Sequence, residues 1–329
     1  MSRKLIERCE EKAMNLVRLE KEEAEGLLRV DSSSIFDLLA VSNRIRQKYK
    51  GDEISLCAII NAKSGKCSEN CGFCAQSAHF ETHSDVYPYL GTEKIMEGAQ
   101  LAQTQGAEKF CIVTSGYGYD SGPDLDEICE TIKEVRTTMP IKPCASLGIL
   151  TDSALSDLKK AGLTEYHHNL ETARSYFSKI CTTHDYEEDA ETVRKAKNSG
   201  LRVCCGGVFG MGESLEQRVE LAFELRELNV DAMPLNFLNP IAGTPVAGFA
   251  VPLKPLEILK VVAMFRFVHP DKDVKVAGGR EVNLRDLQSL VFAAGANSVM
   301  VGNYLTTKGR DYRHDLQMIK DLDLSVVFH

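Results

Sequence analysis

Eight short apolar segments recur along this chain, with an amphipathic stretch between most of them, and that alternation narrows the fold more than any other feature. The segments are residues 54–60, 109–115, 142–147, 165–170, 202–208, 231–238, 273–279 and 297–302. Residues 124–139 place Leu125, Ile128, Cys129, Ile132 and Val135 on one helical stripe. Thr151 and Gly162 bracket a second helix as start and stop signals. Further helices are predicted from about Tyr186 to Gly200 and from Ser214 to Asn229. Strands separated by helices pair in parallel through right-handed crossovers. Eight such units predict an α/β fold, a (βα)8 TIM-type barrel, with a doubly wound open sheet as the alternative. The first 45 residues are charged and helix-periodic. The expected organisation is an N-terminal helical extension (1–45), the barrel (46–310) and a C-terminal segment (311–329).

A barrel gathers its functional residues at the C-terminal ends of the strands. The first strand is followed there by KCSENCGFCAQSAHF, which holds Cys67, Cys71 and Cys74 with C-x3-C-x2-C spacing. A structural zinc site closes with four ligands, and this loop offers three. A four-iron cluster on three thiolates leaves one iron open to bind a small molecule. Ser115 and Gly116 end the second strand, Asn169 ends the fourth, Asn236 lies in the sixth and Arg280 follows the seventh. All are expected to face the same mouth.

The 329 residues contain eleven cysteines. The N-terminal segment lacks the apolar core of a signal peptide, so a reducing, cytoplasmic compartment is expected. Cys111, Cys144 and Cys204 each lie in a predicted strand and either converge in the lumen or pack as small core residues. Cys204 and Cys205 are adjacent, so they point to opposite faces. Packing is the default for Cys57 and Cys129, while Cys9 and Cys181 have no recognisable context. Formal charge is −8, and no run of about 18 apolar residues occurs, so neither a nucleic-acid nor a membrane partner is expected. The run GGVFGMGES (206–214) opens a helix where backbone amides favour anions, but it lacks the G-x-G-x-x-G order of a dinucleotide site.

The three-cysteine loop resembles the signature of the radical S-adenosylmethionine (SAM) enzymes. The wider set of NAKSGKCSENCGFCAQS, FCIV, CASLGIL, YHHNLET, PLNFL, AGGRE, AGANS and LTT resembles the biotin synthase family over roughly residues 45–325. That resemblance implies a [4Fe-4S] cluster on Cys67, Cys71 and Cys74, with SAM on the open iron and Phe73 beside its adenine. It implies an auxiliary iron–sulfur cluster, [2Fe-2S] or a four-iron variant, on Cys111, Cys144, Cys204 and Arg280. Ser115, Asn169, Glu171 and Asn236 are implied as cofactor- and substrate-binding residues, with Thr306 and Thr307 near the substrate. The implied reaction converts dethiobiotin to biotin. SAM is cleaved to a radical that removes hydrogen from unactivated carbon, and sulfur is inserted from the auxiliary cluster. A one-electron donor such as flavodoxin or ferredoxin and a homodimer are implied as partners. The alternatives are a related radical SAM enzyme with another substrate and a non-catalytic iron–sulfur carrier. His167 stands where the family pattern has asparagine, Glu171 where it has aspartate, and Cys205 where it commonly has serine.

Overall fold

Eight parallel strands close into a barrel in the computed structural model, which describes residues 2–327. They are β1 Glu53–Lys63, β2 Lys109–Thr114, β3 Lys142–Ser146, β4 Glu165–His167, β5 Arg202–Cys204, β6 Ala232–Phe237, β7 Asp273–Val276 and β8 Ser298–Met300. Neighbours in sequence are neighbours in space, and β8 returns to pair with β1 through Ser55↔Ser298 and Cys57↔Met300. The open-sheet alternative is thereby excluded.

The predicted helix signals act where the sequence puts them. Thr151 caps Asp152–Ala161 by accepting from the Ala154 amide, and Gly162 ends that helix in the left-handed conformation. Asp185 and Ser214 form capping boxes for Tyr186–Asn198 and Leu215–Glu227. Helix Pro255–Val268 is mostly apolar and has ten of its fourteen residues buried, which a helix tolerates only when it is enclosed. The N-terminal helices Ser2–Met14, Lys21–Leu28 and Ile35–Lys50 enclose it. The third of them runs beyond residue 45, almost to β1.

Strand alternation sorts side chains into two environments. Leu56, Ala58, Phe110, Ile112, Ala145, Val203, Cys205, Val274 and Val276 enter the apolar layer between strands and helices. The residues between them, Cys57, Cys111, Cys144, Cys204 and Lys275, line the lumen instead. Cys205 therefore faces away from the lumen.

A chain of charges forms the lumen floor. Lys109 pairs with Glu165 at 2.8 Å, Glu165 meets Arg202 at 3.4 Å, and Arg202 reaches Asp273 at 2.9 Å. Lys109 and the Glu165 carboxylate are both buried. Lys109→Met would leave Glu165 with its longer contact to Arg202, and removing one partner of a buried pair costs about 3–5 kcal/mol. Urea denaturation is expected to show a loss near the lower end of that range, since Arg202 retains part of the compensation. An unchanged midpoint would refute this account of the floor.

Candidate radical SAM active site

The barrel encloses a cavity of about 330 Å³ that opens at the C-terminal ends of the strands. Its mouth is built by the loop after β1. The Cys67 amide donates to the Gln76 carbonyl and the Ala78 amide to the Cys67 carbonyl, which folds the loop back on itself. The Cys74 amide donates to the Cys71 carbonyl at 2.8 Å, a tight turn that carries two of the three thiols. Cys74, with Phe73 and Gln76, lines the cavity. Phe73 rests on an apolar cluster of Ile180, Val208, Met211 and Val246, which gives one wall a flat, dry surface. Burial raises the Cys74 thiol to about 11, and hydrogen bonding to Cys181 together with burial pushes Cys71 upward. Both thiols are therefore protonated near neutral pH, and metal uptake must release protons.

Deeper in the lumen, Cys111 and Cys144 are register partners on β2 and β3, and His167 on β4 is paired with Cys204 on β5. Burial raises all three thiols, Cys204 to about 12. A fourth thiol, Cys57 on β1, lines the same space and acts electrostatically on each of them. Sequence reasoning assigned Cys57 to packing. The available signal was its place between Leu56 and Ala58, two residues committed to the opposite face.

The expectation for Arg280 is corrected. After β7 the chain turns at Gly279, with φ +75°, into the short helix Arg280–Leu284. This carries Arg280 past the lumen, where it pairs with Asp315 at 2.8 Å on the C-terminal helix Tyr312–Lys320. It is fully buried and does not line the cavity. The lumen cation is Lys275 on β7, whose Nζ lies 3.7 Å from Cys204 Sγ. Lys275 is 5% exposed, and Glu165 acts on it electrostatically, but among the described residues no carboxylate lies within ion-pair distance of it. A buried ammonium beside the lumen thiols, with no carboxylate that close, fits an anionic group at this spot.

Ser115 is also corrected. Its buried hydroxyl donates to the Gly65 carbonyl at 2.8 Å and braces the root of the cysteine loop, outside the cavity lining. The glycine run after β5 is not a free anion site either, because Glu213 accepts from the Gly210 and Met211 amides and from Arg218. What that run provides is close approach. A Cβ at Gly206 would stand 2.0 Å from the Pro234 carbonyl oxygen, and one at Gly207 2.5 Å from that of Glu171.

Asn169, Glu171, Asn236, Thr306 and Thr307 all line the cavity. Asn236 accepts from the Gly278 amide and donates to the Gly207 carbonyl, so its amide spans two loops. Asn169 accepts from the Gly206 amide and donates to Glu171. His167 also lines the cavity, and burial lowers it to about 3, so it is neutral.

Burial, reinforced by Asp189, raises the Glu171 carboxyl from 4.5 to about 8. The folded chain then holds this proton over a range in which the unfolded chain has lost it. This group's contribution to stability should therefore fall as pH rises from about 4.5 to about 8. Glu171→Gln is expected to flatten that slope in cofactor-free protein, read by urea titrations at several pH values. An identical slope in the variant would sink this reading.

Comparison with known proteins places this geometry. The sequence profile of the Radical SAM superfamily matches residues 62–225, and that of the Biotin and Thiamin Synthesis associated domain matches residues 234–325. Biotin synthase of Geobacter sulfurreducens is 53% identical over 308 residues, covering 94% of this chain and 93% of its own. The chain belongs to the biotin synthase family. Biotin synthase of Pelobacter propionicus is 49% identical over 326 residues and covers 98% of both chains. Two solved structures share the fold at low identity. Methylornithine synthase superposes with a TM-score of 0.84 at 18% identity, covering 97% of each chain. The [FeFe]-hydrogenase maturase HydG gives 0.83 at 17%, covering 99% of this chain and 76% of its own. Membership in the biotin synthase family makes this a radical SAM enzyme and implies a [4Fe-4S] cluster, SAM and a small-molecule substrate. Among the described residues, no helix is long and apolar enough to cross a membrane.

Proposed function

We propose that this biotin synthase family member inserts sulfur into dethiobiotin, with Cys67, Cys71 and Cys74 holding the [4Fe-4S] cluster and the lumen thiols holding the auxiliary one. The observation that carries the reading is the convergence of Cys57, Cys111, Cys144, Cys204 and Lys275 beneath a cavity whose mouth is formed by Phe73 and Cys74. When bound, the first cluster supplies an electron to SAM and the second supplies sulfur. The protein's own contribution is placement and exclusion of water. Phe73 offers the adenine an apolar face. Glu171 accepts hydrogen bonds from ribose hydroxyls once ionised, and Asn169 steadies its carboxylate. Asn236, His167, Thr306 and Thr307 surround the space left for the substrate.

Four lumen thiols, with no guanidinium among the lining residues, favour a four-iron auxiliary cluster over a two-iron cluster with an arginine ligand. Lys275 offsets its charge. A one-electron donor such as flavodoxin or ferredoxin, a homodimer and a cytoplasmic location belong to the same proposal and rest on the family. The division into residues 1–45, 46–310 and 311–329 is part of the proposal too and rests on the sequence pattern, with its first boundary falling inside the helix Ile35–Lys50.

The test is anaerobic reconstitution with iron, sulfide, SAM, reductant and dethiobiotin, followed by mass spectrometry for biotin. Full reconstitution should yield about eight irons per chain rather than about six. Cys57→Ala should lower that count and slow biotin formation. Failure to form biotin in a fully loaded sample would overturn the substrate. About six irons, with Cys57→Ala unchanged, would overturn the four-iron assignment.

A further inference from the structure

Cys181 and His184 sit beside the cysteine loop, outside the cavity and unused by the proposed chemistry. Cys181 Sγ lies 3.9 Å from Cys71 Sγ and 3.4 Å from His184 Nδ1. The donor atoms of Cys71, Cys181 and His184 all fall within 4.8 Å of one another. Metal–sulfur bonds of about 2.3 Å and metal–nitrogen bonds of about 2.0 Å, at tetrahedral angles, set sulfurs about 3.8 Å apart and sulfur about 3.5 Å from nitrogen. Two of the three edges here already match one tetrahedral ion. Thiolates of a four-iron cluster sit on different irons and stand farther apart than this.

The arrangement is built rather than incidental. Asn70 binds the Thr182 amide at 2.9 Å through Oδ1 and the Thr182 hydroxyl at 2.6 Å through Nδ2. The Gly72 amide donates to the Ile180 carbonyl at 2.7 Å. Together these contacts lace the segment that carries Cys181 onto the cysteine loop. His184 Nε2 lies 3.4 Å from Asp189 Oδ2, while His168 holds Asp189 Oδ1 at 2.8 Å. A carboxylate behind the imidazole steadies it beside the thiols, a common support for a metal-binding histidine, with Cys181 Sγ 3.4 Å from Nδ1 and 3.9 Å from Nε2. Glu69 Oε2 accepts from Nδ1 at 2.7 Å, so a cation that takes Nδ1 must displace this proton and contact.

We propose that Cys71, Cys181 and His184 form a mononuclear site for a thiophilic divalent cation in the chain before it receives its [4Fe-4S] cluster. Cys71 belongs to both donor sets, so cation and cluster exclude each other. The site therefore sets a competition between a single cation and cluster assembly. Binding by itself does not depend on the substrate or on the auxiliary cluster.

The probe is Co²⁺, added anaerobically to full-length, iron-free protein under reductant. Beyond any Co²⁺ held by the four lumen thiols, one per chain is expected that persists in Cys111→Ala/Cys144→Ala, with tetrahedral visible bands and a thiolate-to-cobalt charge-transfer band. Cys181→Ala should weaken binding at least ~10-fold and reduce the charge-transfer intensity, while His184→Gln should weaken binding but keep that intensity. Cys67→Ala should bind Co²⁺ as wild type does. Zn²⁺ loaded first should delay cluster uptake from iron and sulfide, and Cys181→Ala should shorten the delay. Binding that survives both Cys181→Ala and His184→Gln but is lost in Cys67→Ala would put the cation on the loop cysteines and overturn the proposal. No uptake by the wild-type chain would overturn it as well. If Cys181→Ala fails to fold, judged by circular dichroism, His184→Gln alone decides between these outcomes.

Discussion

Cys74→Ala is expected to end 5′-deoxyadenosine production from SAM, with a fall of at least ~10²-fold. The loop brings three thiols to the barrel mouth, and Cys74 is the one among them that lines the cavity. Its loss would leave a cluster with two protein ligands where three already leave one iron open. Cys74 is a cleaner target than Cys71, because Cys181 lies 3.9 Å from Cys71 and offers a replacement thiol. The fold should survive, since the turn is held by main-chain bonds, such as that from the Cys74 amide to the Cys71 carbonyl. Anaerobic assays with chemical reductant, read by mass spectrometry beside an iron count, make the check. Sustained 5′-deoxyadenosine at the wild-type rate would remove Cys74 from the cluster.

Cys144→Ala should separate the two halves of the reaction. SAM cleavage should continue within a few-fold of wild type, while biotin falls to background. Cys144 faces the lumen, and its thiol donates to the Lys142 carbonyl at 3.8 Å, a weak contact. Truncation therefore disturbs little packing but removes one of four converging thiols. Lys275→Met tests the charge at the same place. It keeps the length of the side chain and removes the ammonium 3.7 Å from Cys204, so auxiliary iron should load less fully at unchanged SAM cleavage. If Cys144→Ala made biotin normally, the lumen thiols would not be the sulfur-donating site.

The strand–helix alternation was legible because each period is local. Thr151 and Gly162 act within one turn of their own helix, and the capping boxes at Asp185 and Ser214 do likewise. The cysteine loop was legible for the same reason, since Cys67, Cys71 and Cys74 fall within eight consecutive residues. The lumen was legible only in part. Alternation correctly separated Cys204 from Cys205. It applied equally to Cys57, whose neighbours Leu56 and Ala58 both enter the outer layer, but apolar surroundings made packing the simpler assignment.

Arg280 shows where local reasoning stops. Lys275 and Arg280 are five residues apart in one short segment, and both are basic. The turn at Gly279 and the pull of Asp315, from a helix some 35 residues onward, send Arg280 outward and leave Lys275 facing the thiols. Cys181 is the same case: nothing near it in sequence points to Cys71, yet the contacts of Asn70 and Gly72 bring the two segments together. The chain's own sequence thus determined the barrel, the reactive loop and the inward face of each strand, because those follow from short-range periodicity and spacing. Which cation meets the lumen thiols, and which thiol stands beside Cys71, was decided by tertiary structure. Both depend on contacts between segments far apart in the chain, whose geometry exists only once the barrel has closed.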